Sequence, residues 1–367
     1  MKKLFVLLLC LLCCGSYAQA QNRAQLNVKE ILFSPDGKKM AIGLERTGSG
    51  GKQIVRLWEV ETGKLLWARD AEAVTGNDIA ISPDGTLLAV SGTGKRTGVT
   101  TKTYVEFWGI EKGELVLSVE LGTGEVVDSL AFSPDGKHLV GAVNPIVGKT
   151  RNAEVRLWDV ATGKLERTLH SYEGTSDSLA ISTDGKRMVV RHRKEALNLS
   201  EEVNSAYLTL WDLPEFKLVR TLGIGQYLLR GLLPSPNGES LAFLGAPAQE
   251  PSTLIFWKIG APALTPTALP DPAVERVSFF RFTPDGKEMV VTGESIEKPK
   301  QAALWVVDTE KSRITRVLHA ASPVSPQNSS QYPLAISPDG KSLAIISGQS
   351  SIELRSMQDG AVIRKYE

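Results

Sequence analysis

A four-residue pattern recurs seven times in this chain, and that recurrence constrains the architecture more than any other feature. It reads Ser34-Pro35-Asp36-Gly37, Ser82 to Gly85, Ser133 to Gly136, Ser182-Thr183-Asp184-Gly185, Ser235-Pro236-Asn237-Gly238, Thr283 to Gly286 and Ser337 to Gly340. The glycines are 48, 51, 49, 53, 48 and 54 residues apart. The chemistry is that of a tight turn. Proline presets φ at the second position, Asp or Asn suits the third, and Gly accepts the left-handed conformation at the fourth. The leading hydroxyl can bond back to the turn backbone. Apolar, β-prone stretches flank each turn, such as Ser129-Leu130-Ala131-Phe132 before and Leu87-Leu88-Ala89-Val90 after. Two strands around such a turn predict a hairpin.

A second signature follows each hairpin. Val55 to Val60, Val105 to Ile110, Val155 to Val160, Leu208 to Leu213, Leu254 to Ile259 and Ala302 to Val307 place Trp58, Trp108, Trp158, Trp211, Trp257 and Trp305 in strands. The seventh unit keeps the strand but carries Arg355 at the tryptophan position. A turn such as Ala161-Thr162-Gly163-Lys164 then leads into a fourth strand. Each unit is therefore four short antiparallel strands, and one such sheet cannot bury both faces alone. Seven arranged radially bury each face against a neighbour. The expected fold is an all-β, seven-bladed β-propeller over residues 25–367, with blades near 25–70, 73–120, 124–170, 173–222, 226–268, 274–319 and 328–367. The six tryptophans are expected between blades, as core and not as a ligand cage.

The repeating unit, with Trp158-Asp159 and Trp211-Asp212 as its naming dipeptide, resembles the WD-repeat family, in particular divergent secreted bacterial members. The Gly-His pair that opens most family repeats is absent, as is the aspartate of the turn before the tryptophan strand. The resemblance therefore implies the propeller without the family's buried Asp–His network. Family members usually complete one blade with strands from both termini. Here the first unit begins at its innermost strand and the last ends with its own fourth strand, so ring closure is expected by blade packing.

The first twenty residues read as a targeting segment. Lys2 and Lys3 precede an apolar run from Leu4 to Cys14, and Ala18-Gln19-Ala20 is a small-x-small cleavage site. This is the secretory pattern, with a run too short for a comfortable membrane span. The expected chain is secreted or periplasmic, begins at Gln21 and has no membrane span. Cys10, Cys13 and Cys14, the three cysteines, all lie in this segment, so the remainder has no disulfide or thiolate chemistry. Without Lys2 and Lys3 the chain carries 40 basic and 41 acidic residues, which argues against nucleic acid as a partner.

In a propeller the loops between strands two and three share a face with the links between blades, and here that face holds nearly all the length variation. The Pro-Asp-Gly and Thr-Gly-Lys turns on the other face are short and uniform, and read as structural. Loop variation on a rigid scaffold is where binding usually sits. The first four variable loops are read as carrying Arg46, Lys52, Lys95, Arg96, Lys102, Lys149, Arg151, Arg191, Arg193 and Lys194, against the acids Glu45, Glu195, Glu201 and Glu202. Such a half-ring suits another protein or an anionic surface. The start of the inner strands supplies a second candidate, a polar channel mouth of Lys29, Asn77, Asp78, Asp128, Asp177 and Arg230.

The function expected is a binding scaffold, a monomeric ring presenting its loop-rich face, without catalysis or cofactor. The competing reading is a hydrolase or lactonase-like propeller using Asp78, Asp128 and Asp177 with a metal at the channel mouth. No nucleophile elbow or phosphate loop is present, and His138, His170, His192 and His319 have no common ligand spacing. No catalytic residue, metal ligand or cofactor site is assigned.

Overall fold

The structure, a computed structural model, describes residues 26–46, 53–71, 75–97, 100–145, 152–193, 206–224, 230–245, 253–260, 267–268, 274–295, 302–320, 333–347 and 351–367. They form seven four-stranded antiparallel sheets and no helix. Every sheet is a meander of four strands consecutive in sequence. The first blade runs Leu26–Phe33, Lys39–Arg46, Gln53–Glu59 and Leu65–Asp70, and the last Leu334–Ile336, Ser342–Ile346, Ile352–Ser356 and Val362–Tyr366. The first strand of each blade lies innermost, against its counterparts in neighbouring blades, and those of blades 7 and 1 also meet. This is the seven-bladed propeller expected from the repeat.

The recurring tetrapeptide closes each inner hairpin. Gly37 N–H donates to the Ser34 carbonyl at 2.8 Å, the Ser34 hydroxyl donates to Asp36 Oδ1 at 2.6 Å, and Asp36 Oδ1 accepts from Lys38 N–H at 3.0 Å. Gly37 sits at φ 70°, where a side chain would be strained. The serine is buried although the turn is exposed, because its Oγ also accepts from Lys39 N–H at 2.9 Å. The tetrapeptide thus satisfies its own polar groups wherever it occurs.

The seven apolar clusters of the protein are its seven blade interfaces. Trp158, Trp211, Trp257 and Trp305 each pack against residues of the preceding blade, and Trp108 does so from a partly buried position. Trp58 does the same at the junction of blades 7 and 1, where Ile31, Met40 and Trp58 meet Ala344, Leu354 and Tyr366. Ring closure is completed on the turn face. Arg364 donates to the Thr62 and Glu61 carbonyls at 2.8 and 2.7 Å, and the Tyr366 hydroxyl donates to the Val60 carbonyl at 3.0 Å. Among the described residues no strand of one blade completes another, and packing with these few bonds joins blade 7 to blade 1.

Arg355 shows how a propeller replaces its tryptophan. Trp108 donates from Nε1 to Glu106 Oε2 at 3.2 Å and Trp211 to Thr209 Oγ1 at 3.0 Å, each two residues back along the strand. Arg355 keeps that direction, donating from Nε to Glu353 Oε2 at 3.0 Å, and adds a bond from Nη1 to the Gly360 carbonyl at 2.9 Å. Both charged groups are nearly buried, which is tolerable because they are paired and hydrogen-bonded.

A candidate site in the central channel

The inner strands are paired on one side only, so their other edge leaves N–H groups facing the axis that need acceptors. In blades 1 to 3 the side chain seven residues before the turn glycine supplies one. Asp78 Oδ2 accepts from Leu130 N–H at 2.7 Å, Ser129 Oγ accepts from Leu179 N–H at 3.2 Å, and Glu30 Oε2 lies 3.5 Å from Ile79 N. These three blades thereby stitch the inner strands of blades 2 to 4. Asp78 also accepts from the Ser129 hydroxyl at 3.0 Å.

A bulge just upstream separates this tier from the next. The register of the inner hairpins shifts at Lys29, Asn77, Asp128 and Asp177 in blades 1 to 4. A bulge turns two successive side chains toward one side of a strand. Asp128 and Asp177 therefore share a tier, and Asp78 lies one tier deeper with Glu30. The three aspartates do not form the ring expected of them. Asp177 accepts from Arg191 Nε at 2.5 Å and Arg193 Nε at 2.6 Å. Asp128 accepts from Asn144 Nδ2 at 2.6 Å, and burial, opposed by that bond, raises its carboxyl above the usual range. Asp78 serves the blade stitch. The three carboxylates are engaged by different partners although Asp177 and Asp78 both act on Asp128 through their charge, and among the described residues no group of three His, Cys, Asp or Glu side chains is placed to hold a metal ion.

Two residues not expected at the axis complete the site: Glu30 in the tier of Asp78, and Arg281 two positions nearer its turn glycine. Glu30 lies beside Asp78, and burial first, then the Asp78 charge and a hydrogen bond to it, hold the Glu30 carboxyl well above the ordinary range. Arg281, from the inner strand Val274–Phe282, acts on both across the channel. Its guanidinium stands 4.3 Å over the Phe279 ring, and Nη1 donates to the Phe280 carbonyl at 3.2 Å. Burial lowers the guanidinium's proton affinity, opposed by Glu30 and Asp78. These groups line a cavity of about 730 Å³. It is walled by Leu32, Ala80, Ala131, Ala180 and Leu233 and extends to Pro83, Pro134 and Asp184 of the turn face. The turn face, read as purely structural, is thus where the cavity leads.

The basic loops also differ from expectation. Arg46 ends the strand Lys39–Arg46, Lys95 and Arg96 lie in Leu87–Thr97, Lys102 in Thr100–Gly109, and Arg191 and Arg193 in Arg187–Arg193. Pairing continues to Thr97↔Thr100, so blade 2 extends its middle hairpin instead of opening into a loop. Several cations are paired within their own blade. Lys102 meets Glu120 at 2.7 Å, Lys29 meets Glu45 at 2.6 Å, and Arg191 is buried on Asp177. Lys52, Lys149, Arg151 and Lys194 lie outside the described residues, as do the side chains of Arg46, Asn77, Lys95, Arg96, Arg230, His170 and His319.

Blade 4 holds a buried network that the missing Gly-His pair argued against. Trp211 Nε1 bonds Thr209 Oγ1, which lies 2.9 Å from His192 Nε2, and His192 Nδ1 lies 2.6 Å from Ser176 Oγ. Ser176 N–H donates to Asn144 Oδ1 at 2.7 Å, and Asn144 continues to Asp128. Serine takes the place of the family's aspartate, and histidine comes from the second strand. Ser176 and His192 are fully buried, and Tyr207 stacks on the imidazole, so this Ser–His contact is core structure and not a nucleophile.

The chain is a seven-bladed β-propeller whose repeat resembles the WD repeat. No family model matches it. It is 28% identical over 168 residues to an uncharacterised WD repeat-containing protein of Synechocystis, covering 44% of this chain and 40% of that one. It is 29% identical over 112 residues to the cross-pathway control WD-repeat protein 2 of Flammulina velutipes, 30% of this chain and 31% of the relative. With MST50-interacting protein 11 of Pyricularia oryzae it shares 27% identity over 164 residues, 43% and 46% of the two chains. The chain thus matches less than half the length of each of these relatives. Fold, repeat and relatives fit the resemblance to the WD-repeat family, whose propellers suggest protein-interaction scaffolds. Among the described residues no helix is long and apolar enough to cross a membrane.

Proposed function

We propose that the protein is an exported scaffold that holds a protein partner on its variable face, through an acidic surface of that partner. The observation that carries this reading is the middle hairpin of blade 2. Its strands, of 11 and 10 residues, are the longest described and bring Lys95 and Arg96 to the tip of that face. A rigid ring supports it, because each blade is held on both faces by an apolar interface. The relative named as MST50-interacting supports the idea of a protein partner in kind, without giving its identity. Carboxylates tied into blade stitching and ion pairs favour binding over the hydrolase reading.

The test is charge reversal at the hairpin tip, Lys95→Glu with Arg96→Glu in the full chain. The partner crosslinked in native cells should be lost, with the thermal midpoint unchanged. Retention of the same adduct would overturn the reading. Export is tested separately by sequencing the N-terminus of the protein recovered outside the cytoplasm, which should begin at Gln21. An intact Met1 there would refute cleavage.

A further inference from the structure

The channel has a feature that neither blade stitching nor the variable face uses. The position five residues before each turn glycine is Leu32, Ala80, Ala131, Ala180, Leu233 and Ala335 in six blades, and Arg281 in the sixth in chain order. One guanidinium thus stands in a tier of small and aliphatic side chains. Arg281 spends one N–H on the Phe280 carbonyl, and no carboxylate lies within ion-pair distance of it among the described residues. Glu30 and Asp78 reach it only across the channel, and Asp78 already accepts from Leu130 N–H and Ser129. A half-buried guanidinium at a cavity wall without a contacting counter-ion is an arrangement that an anion would stabilise.

We propose that the channel cavity binds a small amphipathic monocarboxylate, its carboxylate on Arg281 and its hydrocarbon body against Leu32, Ala80, Ala131 and Leu233. The volume of about 730 Å³ lies in the range of small-molecule sites. The Asp78 carboxyl, already accepting from Leu130 N–H and Ser129, crowds the same cavity and disfavours a second acid group on the ligand. Glu30 keeps its proton to higher pH than an ordinary carboxylic acid and faces the site as a donor. The charged groups facing it are Asp78 from blade 2, Arg281 from blade 6 and, toward the turn face, Asp184 from blade 4. The adjoining strand of blade 7 brings only Leu334, Ala335 and Ile336. As pH rises through the Glu30 titration a second negative charge enters, and carboxylate affinity falls.

The site is independent of the variable face, so its failure would leave that reading standing. The experiment is isothermal titration of the full chain with hexanoate and benzoate, against hexanamide and benzamide as uncharged counterparts. The acids should bind and the amides should not. Arg281→Met, which keeps the volume and removes the charge, should weaken the acids at least about tenfold, the size of one charge-assisted contact. Arg281→Lys should retain part of the affinity. Binding should weaken from mildly acidic to alkaline pH, and Glu30→Gln should flatten that dependence. Equal affinity for acid and amide, no binding of either acid, or full affinity in a folded Arg281→Met protein would each overturn the proposal.

Discussion

Truncating Tyr366 tests how the ring is held shut. The residue ends the last strand, is 2% exposed, and belongs to the cluster that joins blade 7 to blade 1. Its ring meets Trp58 edge-on, with centroids 5.6 Å apart and planes at 73°, and its hydroxyl donates to the Val60 carbonyl. Tyr366→Phe removes only that bond and should cost about 1 kcal/mol. Tyr366→Ala also empties an aromatic site, for a total of about 3–5 kcal/mol. A double-mutant cycle with Trp58→Leu and Tyr366→Leu should report a coupling of about 0.5–1.5 kcal/mol for the edge-to-face pair. Urea unfolding followed by circular dichroism reads all three. Trp257→Ala at the interface of blades 4 and 5 is the reference, because it lies far from the closure. In a ring closed by packing, the two alanine variants should destabilise to a similar degree. If Tyr366→Ala costs less than about 1 kcal/mol and leaves the main transition unchanged, the terminal blade frays on its own and the closure argument fails.

Other outcomes follow from the same packing. Gly360 has φ 73°, and a Cβ there would fall 1.9 Å from the Leu318 carbonyl oxygen, so Gly360→Ala should unfold or aggregate the protein. Gly223→Ala, whose Cβ would meet nothing within 4 Å, should be nearly neutral by thermal melting. His192→Phe should cost about 2–4 kcal/mol by stranding the buried Ser176 and Thr209 hydroxyls, and a cost under ~1 kcal/mol would show that the chain is not a connected network. In the turns, the hydroxyls of Ser34, Ser82, Thr283 and Ser337 hold Asp36, Asp84, Asp285 and Asp339 below the usual carboxylate range. Their unfolded forms take up protons first, so this stabilisation is present above the ordinary carboxylate pKa and is lost as pH falls through the depressed values. Urea midpoints should drop over that acidic window, and Asn at all four positions should flatten the drop.

The architecture was legible because its determinants are local and repeated. Each Ser-x-Asp-Gly turn and each tryptophan strand carries its own signal, and seven copies at near-constant spacing leave little choice of fold. The site was less legible because it forms across the ring. Glu30, Asp78 and Arg281 come from blades 1, 2 and 6, and no spacing along the chain announces their meeting. A signal for Arg281 did exist, as the one charged residue in a column of Leu and Ala once the seven units are aligned on their turn glycines. The bulges defeated the expected ring of aspartates, since a one-residue shift puts Asp78 in a different tier from Asp128 and Asp177. In blade 2 the length variation between strands two and three suggests a loop carrying Lys95, Arg96 and Lys102. Its threonines at 93, 97, 100, 101 and 103 favour extended backbone, and the hairpin continues through them. The network around His192 was not legible because its partners Ser176 and Thr209 stand on strands 1 and 3 of the blade, with no common spacing along the chain.

The central claim is that a closed seven-bladed ring presents a protein-binding face at its variable end. It is tested most directly by placing a photo-crosslinking residue at Thr97 in the blade 2 hairpin, and separately at Ala161 on the uniform turn face, then irradiating cells that express each full chain. The account predicts a discrete protein adduct from position 97 and none from position 161. An adduct confined to position 161 would contradict it, and adducts of equal yield from both faces would contradict it as well.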